Sequence, residues 1–317
     1  MSFTIIEEGL YTTIQDLGRN YRSYGFSVAG PMDRHAMQLA NLLVGNKESE
    51  AVIEMSFMGP TIQFEHDALI AITGADMSAN IEKRSIKRYR PIFVKKGDTL
   101  QFRSAKKGTY SYLAVKGGLA SPEILGSQST ILRAEMRHSI SHPLRNGDTV
   151  RLKKDEVPDW KDNWYVTPTI KNYIGAHSQV IRYIKGPQYD WLDHVAFTNQ
   201  AWKISTQSNR IGYRLQGKPI KRNKMDELLT EATSFGAIQV PPNGLPIVLM
   251  ADAQPTGGYP KIGQVIEIDL PKLSQLSLSG TVYFQEVSIN EALDLLEQQK
   301  RWFQSIKYAI HEKYKEG

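Results

Sequence analysis

Short runs of β-branched and aromatic residues recur along the first half of the chain, each closed by Gly, Asp or Pro. Residues 3–6, 51–55, 61–64, 69–73, 91–94, 99–103 and 110–115 are predicted strands. One helix interrupts them. It is predicted to begin near Pro31, a favoured first helical residue, and to carry Met32, Ala36, Leu39, Ala40 and Leu43 on one stripe. Gly45-Asn46 stops it. Gly97-Asp98 and Gly147-Asp148 read as tight turns between strands.

The second half repeats the strand rhythm at 180–184, 202–204, 213–215, 237–240, 247–250, 264–268 and 281–285. Residues 54–64 echo 231–240, and an apolar strand follows each at the same offset. Such an echo is expected of two related β domains, with the cleft between them as a natural binding place. Residues 153–178 are polar and carry spaced aromatics, so they read as a linker. From Asn290 the period becomes helical, with Ala292, Leu295, Leu296, Phe303, Ile306 and Ile310 on one stripe. The predicted organisation is mainly β, with a few helices. One β domain covers 1–152 and a linker 153–178; a second β domain covers 179–289 and a C-terminal helix 290–317.

Composition narrows the chemistry. The 317 residues include no cysteine, which excludes a Cys nucleophile, a disulfide scaffold and Cys-ligated metal or iron–sulfur sites. No P-loop, dinucleotide fingerprint, G-x-S-x-G elbow or H-E-x-x-H pair occurs, and no metal is predicted. The net charge is +6. The densest basic stretch is Lys83, Arg84, Lys87, Arg88, Arg90, Lys95 and Lys96. With Tyr89 as its one aromatic it reads as a solvated face for an acidic partner or anionic substrate rather than for nucleic acid. No run reaches the length of a membrane span and the N-terminus lacks a secretory pattern, so a soluble, cytoplasmic protein is expected.

Three segments carry candidate chemistry. Residues 9–33 form a long glycine-rich stretch that reads as a loop and leads into the first helix. Free amides there would favour an anion, or Asp33 would simply complement the helix dipole. In Asn209-Arg210-Ile211-Gly212-Tyr213-Arg214, an extended chain would place Arg210 and Arg214 on one face, as a fork for an oxyanion or as surface ion pairs. The third segment ends a buried strand in Asp252, Gln254, Thr256, Gly257 and Gly258. The acid there would orient an amide nitrogen, the amide and hydroxyl would fix a carbonyl, and the glycines would allow close backbone approach or positive φ.

These segments occur together with Glu54, Gly59-Pro60, Thr73-Gly74-Ala75, Tyr112-Leu113-Ala114-Val115-Lys116-Gly117-Gly118, Leu125-Gly126-Ser127, Gln239-Val240-Pro241 and Thr256-Gly257-Gly258-Tyr259-Pro260. In that order they resemble the biotin-dependent carboxyltransferase domain family, over about residues 3–288. That family includes the C component of bacterial 5-oxoprolinase (the KipI antagonist KipA), allophanate hydrolase subunit 2 and the carboxyltransferase region of urea carboxylase. The resemblance implies two tandem cyclophilin-like β-barrel domains. It implies a site of Arg210, Tyr213, Arg214, Gln239, Asp252, Gln254, Thr256, Gly257, Gly258 and Tyr259, with Gln15, Asp16, Ser27 and Asp33 from the N-terminal half. Asp252 would meet a substrate nitrogen and the arginines a carboxylate or a transferred carboxyl group. The implied activity belongs to a heteromeric enzyme. In it, this chain and the A and B components, the latter KipI-like, open 5-oxoproline to glutamate using ATP at the level of the complex. The alternatives are biotin-dependent carboxyl transfer to urea or a related amide, and regulatory binding of a KipI-like kinase inhibitor. Biotin, if used, sits on another protein, since no Ala-Met-Lys-Met signature is present. One departure from the family pattern is the stretch 135–144, which lacks glycine.

Overall fold

The structure is a computed structural model in which residues 1–131, 142–154, 164–166, 173–224 and 228–316 are described. Much of the expected linker and of the glycine-free stretch 135–144 lies outside these residues. The chain divides into two compact units. The first comprises Met1–Arg19, Ala29–Gly175 and Gln304–Gly317, and the second comprises Asn20–Val28 and Ala176–Phe303.

In the first unit two antiparallel sheets enclose one core. The larger runs in the order Leu119–Ala120, Thr149–Leu152, Ser2–Glu7, Thr61–Phe64, Thr99–Gln101, Asn80–Ile81, Arg84–Ser85. The smaller runs Tyr11–Gln15, Val52–Ser56, Lys107–Val115, Ala68–Asp76, Pro91–Val94. Alternate residues of the strands point inward: Phe3 and Ile5, Ile62 and Phe64, Ile70 and Ile72, Leu113 and Val115. The helix Arg34–Leu43 packs on Lys107–Val115 and Ala68–Asp76, burying Ala36, Met37, Leu39, Ala40 and Leu43. That cover explains why Val52–Ser56 is buried along its whole length instead of alternating.

Two local expectations are corrected. The helix begins at Arg34 rather than near Pro31, because Asp33 is its N-cap and its Oδ1 accepts the Ala36 amide at 3.0 Å. The stretch 9–33 is not loop throughout: Tyr11–Gln15 is a strand paired with Val52–Ser56. Its Thr12, Thr13 and Gln15 are buried, so the polar–apolar alternation that marks a half-exposed strand is missing.

The second unit is a closed barrel. Its strands follow the order Ser178–Lys185, Lys261–Val265, Ala237–Gln239, Ile247–Leu249, Gly212–Gln216, Trp202–Ile204, Thr281–Glu286. Parallel pairing of Thr281–Glu286 with Ser178–Lys185 closes the ring. Trp202, Tyr183, Phe197 and Phe284 are buried in it, and the Phe197 and Phe284 rings stack 4.6 Å apart. The strand predicted to reach 268 ends at Val265. Asp269 and Pro271 then start the helix Leu270–Ser274. Asp269 is fully buried and accepts Arg182 Nε at 2.8 Å, Arg182 Nη2 at 2.7 Å and Lys272 Nζ at 2.7 Å. Burial alone would raise its pKa, but the bonds from Arg182 and Lys272 outweigh it and hold the carboxyl below its ordinary range.

The two β domains therefore take two forms, a two-sheet unit and a closed barrel. The last helix, Ile289–Glu316, opens with a capping box. Ser288 N donates to Glu291 Oε2 at 2.7 Å and Glu291 N to Ser288 Oγ at 3.2 Å. Phe303 and Ile310 of its predicted stripe are buried. No helix among the described residues is long and apolar enough to cross a membrane.

Candidate functional site

The first unit gathers polar side chains against the N-terminus of its helix. The strand Tyr11–Gln15 delivers Gln15, which is 1% exposed. Its Nε2 donates to Thr13 Oγ1 at 3.0 Å and its Oε1 accepts the Gly30 amide at 3.1 Å. Glu54, inside the apolar strand Val52–Ser56, accepts Met32 N at 2.8 Å and the Tyr112 hydroxyl at 2.8 Å. Tyr112 oxygen in turn accepts Asp33 N at 2.7 Å, and Tyr173 donates to Asp33 Oδ2 at 2.7 Å. Burial first, then the charge of Glu54, raises the Tyr112 pKa well above its usual value. Burial and Asp33 do the same for Tyr173, so both hydroxyls remain proton donors. Asp33 thus caps the Ala36 amide, and Glu54 and Tyr112 take the amides of Met32 and Asp33 just before the helix.

Asp16 serves the neighbouring turn. Its Oδ1 accepts Gly18 N at 2.9 Å, Ser127 Oγ at 2.6 Å and Ser129 Oγ at 2.7 Å, and its Oδ2 accepts Gln128 N at 2.7 Å. The carboxylate thereby folds Leu125-Gly126-Ser127 into place. Ser27 is half-buried in the segment Asn20–Val28, which groups with the second unit.

In the second unit, Arg210 and Asp252 meet across 42 residues of chain. Arg210 Nε donates to Asp252 Oδ2 at 2.7 Å and Nη2 to Oδ1 at 2.9 Å, a bidentate pair with 4% and 7% of the side chains exposed. The Asp252 amide also donates to the Arg210 carbonyl at 2.9 Å. Arg210 precedes the strand Gly212–Gln216, in a turn set by Asn209, whose Oδ1 accepts Ile211 N at 2.9 Å. Arg214 lies within that strand and is exposed, as is Gln216. The two guanidiniums therefore do not form one fork: Arg210 holds Asp252, and Arg214 faces outward. Tyr213, between them, is buried and donates to the Ser274 carbonyl at 3.0 Å.

The turn after Asp252 is tied by its backbone. Thr256–Gly257 pairs with Glu231–Ala232. Thr233 Oγ1 donates to the Gln254 carbonyl at 2.5 Å, and Thr233 N to the Pro255 carbonyl at 2.9 Å. Lys261 Nζ holds the partner strand, 2.6 Å from Glu231 Oε2 and 3.0 Å from the Ala232 carbonyl. The Lys261 bond, with a further one from Gln188, holds the Glu231 carboxyl below its ordinary range. Gln254, Thr256, Gly258 and Tyr259 are exposed on this turn. Gly257 has no positive φ; a Cβ there would lie 2.5 Å from Gln239 Nε2, the end of a flexible side chain that would have to shift to admit it. Gly258 has room for a Cβ, with its nearest neighbour at 4.0 Å. Gln239 is 6% exposed, and its buried Nε2 has no hydrogen-bond partner among the described residues.

The sequence pointed to Arg210, Asp252 and Gln239 without showing their roles; it had Tyr112 only within a family motif, and it gave no site role to Thr233, Glu231, Lys261 or Tyr173. A buried-strand acid such as Glu54 was a readable signal. Tyr173, embedded in a polar run, gave none.

The carboxyltransferase domain family, subdomains A and B, matches residues 24–286. The chain belongs to that family. It is 37% identical over 311 residues to the 5-oxoprolinase C component of Escherichia coli, covering 97% of this chain and 98% of that one. It is also 37% identical over 305 residues to the protein of the same name from Haemophilus influenzae, covering 95% and 96%. The crystal structure of the K. lactis urea amidolyase superposes with a TM-score of 0.84 at 28% identity, over 95% of this chain but 19% of that one.

Proposed function

We propose that this chain is the C component of an ATP-dependent 5-oxoprolinase, acting with the A and B components to open 5-oxoproline to L-glutamate. The observation that carries this reading is the end-to-end match to two 5-oxoprolinase C components, against a match to only 19% of the urea amidolyase. In it, the turn from Gln254 to Tyr259, the Gln239 amide and the Arg214 guanidinium contact the substrate. The Arg210–Asp252 pair positions that turn. The Gln239 donor suits a neutral carbonyl oxygen, which the lactam presents, and Arg214 suits its carboxylate.

The same donor fits the ureido carbonyl of a biotinyl group carried by another protein, and the likeness to urea amidolyase favours that second reading, carboxyl transfer to urea or a related amide. Bound biotin would supply the activated carboxyl group; this chain's part would be to hold its ring and the acceptor amide.

The test mixes the chain with the A and B components and measures glutamate from 5-oxoproline and ATP, with and without avidin. Avidin-insensitive turnover that requires this chain is the expected result. A complex that forms without turnover overturns the reading and leaves a regulatory role. Avidin-sensitive carboxylation of urea establishes the second reading instead.

A further inference from the structure

Part of the basic stretch singled out in the sequence is a solvated face, with Lys83, Arg84, Lys95 and Lys96 exposed. Lys87, Arg88 and Arg90 turn toward a cavity of about 600 Å³ in the first unit, which Lys106 joins from a distant segment. Among the described residues, four cationic side chains line it against one carboxylate, Asp76. The serines Ser78 and Ser85 add hydroxyls to the wall. Like charges gathered at one concavity repel each other, and an anion within it relieves that repulsion.

The two guanidiniums are held in place. Arg88 Nη1 donates to the Gly74 carbonyl, its Nη2 lies 3.4 Å from Asp76 Oδ2, and its guanidinium sits 5.6 Å from the centre of the Tyr89 ring. The Arg90 guanidinium lies 5.2 Å from the centre of the Tyr165 ring. The Gly74 carbonyl, Asp76 and the Tyr89 ring hold the Arg88 group, and the Tyr165 ring lies beside that of Arg90. Lys87 and Lys106 are exposed, and among the described residues neither has an ion-pair partner. Ser78 Oγ has no hydrogen-bond partner there either. Two guanidiniums, two swinging ammonium groups and two hydroxyls make a set in which, among the described residues, donors outnumber the single carboxylate. The volume exceeds that of a single phosphate.

We infer that this cavity binds a small polyanion built of linked phosphate groups. Its residues belong to the first unit and the Arg210–Asp252 turn to the second, and the inference does not depend on the oxoprolinase reading. The probes are inorganic triphosphate, ATP and citrate, titrated calorimetrically into the full-length chain. Triphosphate is expected to bind at one site, more weakly as salt is raised, because part of the attraction is screened. Binding of ATP as tightly as triphosphate identifies the phosphate chain as the recognised part. The double variant Lys87→Gln, Lys106→Gln is expected to weaken triphosphate about tenfold or more, since each ammonium removed deletes a charge-assisted bond. Arg90→Lys, which keeps the charge but loses the fork, is expected to weaken it severalfold. Lys203→Gln, an exposed change on the barrel, is expected to leave binding unaltered. The inference is overturned if triphosphate gives no saturable binding, if citrate binds as tightly as triphosphate, or if Lys203→Gln weakens binding as much as the double variant.

Discussion

The two units satisfy their buried acids in different ways. In the first, Glu54 and Asp33 take hydrogen bonds from the Met32 and Ala36 amides and from the hydroxyls of Tyr112 and Tyr173. In the second, Asp252 is gripped by Arg210, and Asp269 by Arg182 and Lys272. An acid held by several amides and hydroxyls loses one modest bond when one donor is removed. An acid held bidentately by a cation is left as an uncompensated buried charge when that cation is removed. The first arrangement therefore fixes a helix end through many small contributions. The second ties a turn to a strand through one large one.

The largest expected effect follows from breaking the second arrangement. Arg210→Ala should destabilise the barrel by about 3–5 kcal/mol, because Asp252 stays buried without its partner. Urea unfolding followed by the fluorescence of Trp202, buried in the barrel, measures this. A loss under about 1 kcal/mol would mean that water or another group replaces the arginine, and the contrast between units would fail. Next comes Asp33→Ala, which removes the N-cap and the acceptor of Tyr173, at about 2 kcal/mol for the two together. Asp33→Asn keeps a capping oxygen and should cost less. Gly257→Ala drives a methyl group against Gln239 and should cost about 1–3 kcal/mol as an overpacked contact. If it folds with unchanged stability, Gln239 has moved, and its amide is not held where the structure puts it. Tyr173→Phe should cost about 1 kcal/mol, a single neutral donor.

Acid separates the arrangements further. The folded pKa of Asp269 is depressed, so its contribution to stability is fully present above the unfolded value of about 3.9 and is lost as pH falls through the folded one. Thermal unfolding measured from pH 7 downward should therefore hold level until about pH 4 and fall below it. Replacing Asp269 with Asn should flatten that fall.

Much of the fold was legible because alternation reports burial on one face. Thr61–Phe64 and the C-terminal helix coincide with their patterns almost residue for residue. Tyr11–Gln15 was hidden because its polar residues Thr12, Thr13 and Gln15 are buried, while its backbone is held from far along the chain, with Ile14 N donating to Thr130 Oγ1 at 3.2 Å. The helix start was misplaced by the pull of Pro31, although Asp33 is the better cap. At the candidate site, the residue types were legible and their pairing was not. Arg210 and Arg214 look equivalent in sequence, and only the Asn209 turn makes one of them a buried anchor and the other an exposed cation. The roles of Gly257 and Gly258 separate for a similar reason: one is confined by Gln239, and the other is open.

That separation of the two arginines gives the most direct test. In the reconstituted complex, glutamate formation and thermal unfolding are measured side by side for Arg214→Ala and Arg210→Ala. Loss of Arg214 should leave the melting temperature of the chain unchanged and lower kcat/KM by roughly 10- to 100-fold, the equivalent of one charged hydrogen bond of about 1.5–3 kcal/mol to the substrate. Loss of Arg210 should lower the melting temperature first and activity with it. Full activity in the Arg214 variant would contradict the account, because the exposed arginine would then have no part in the chemistry.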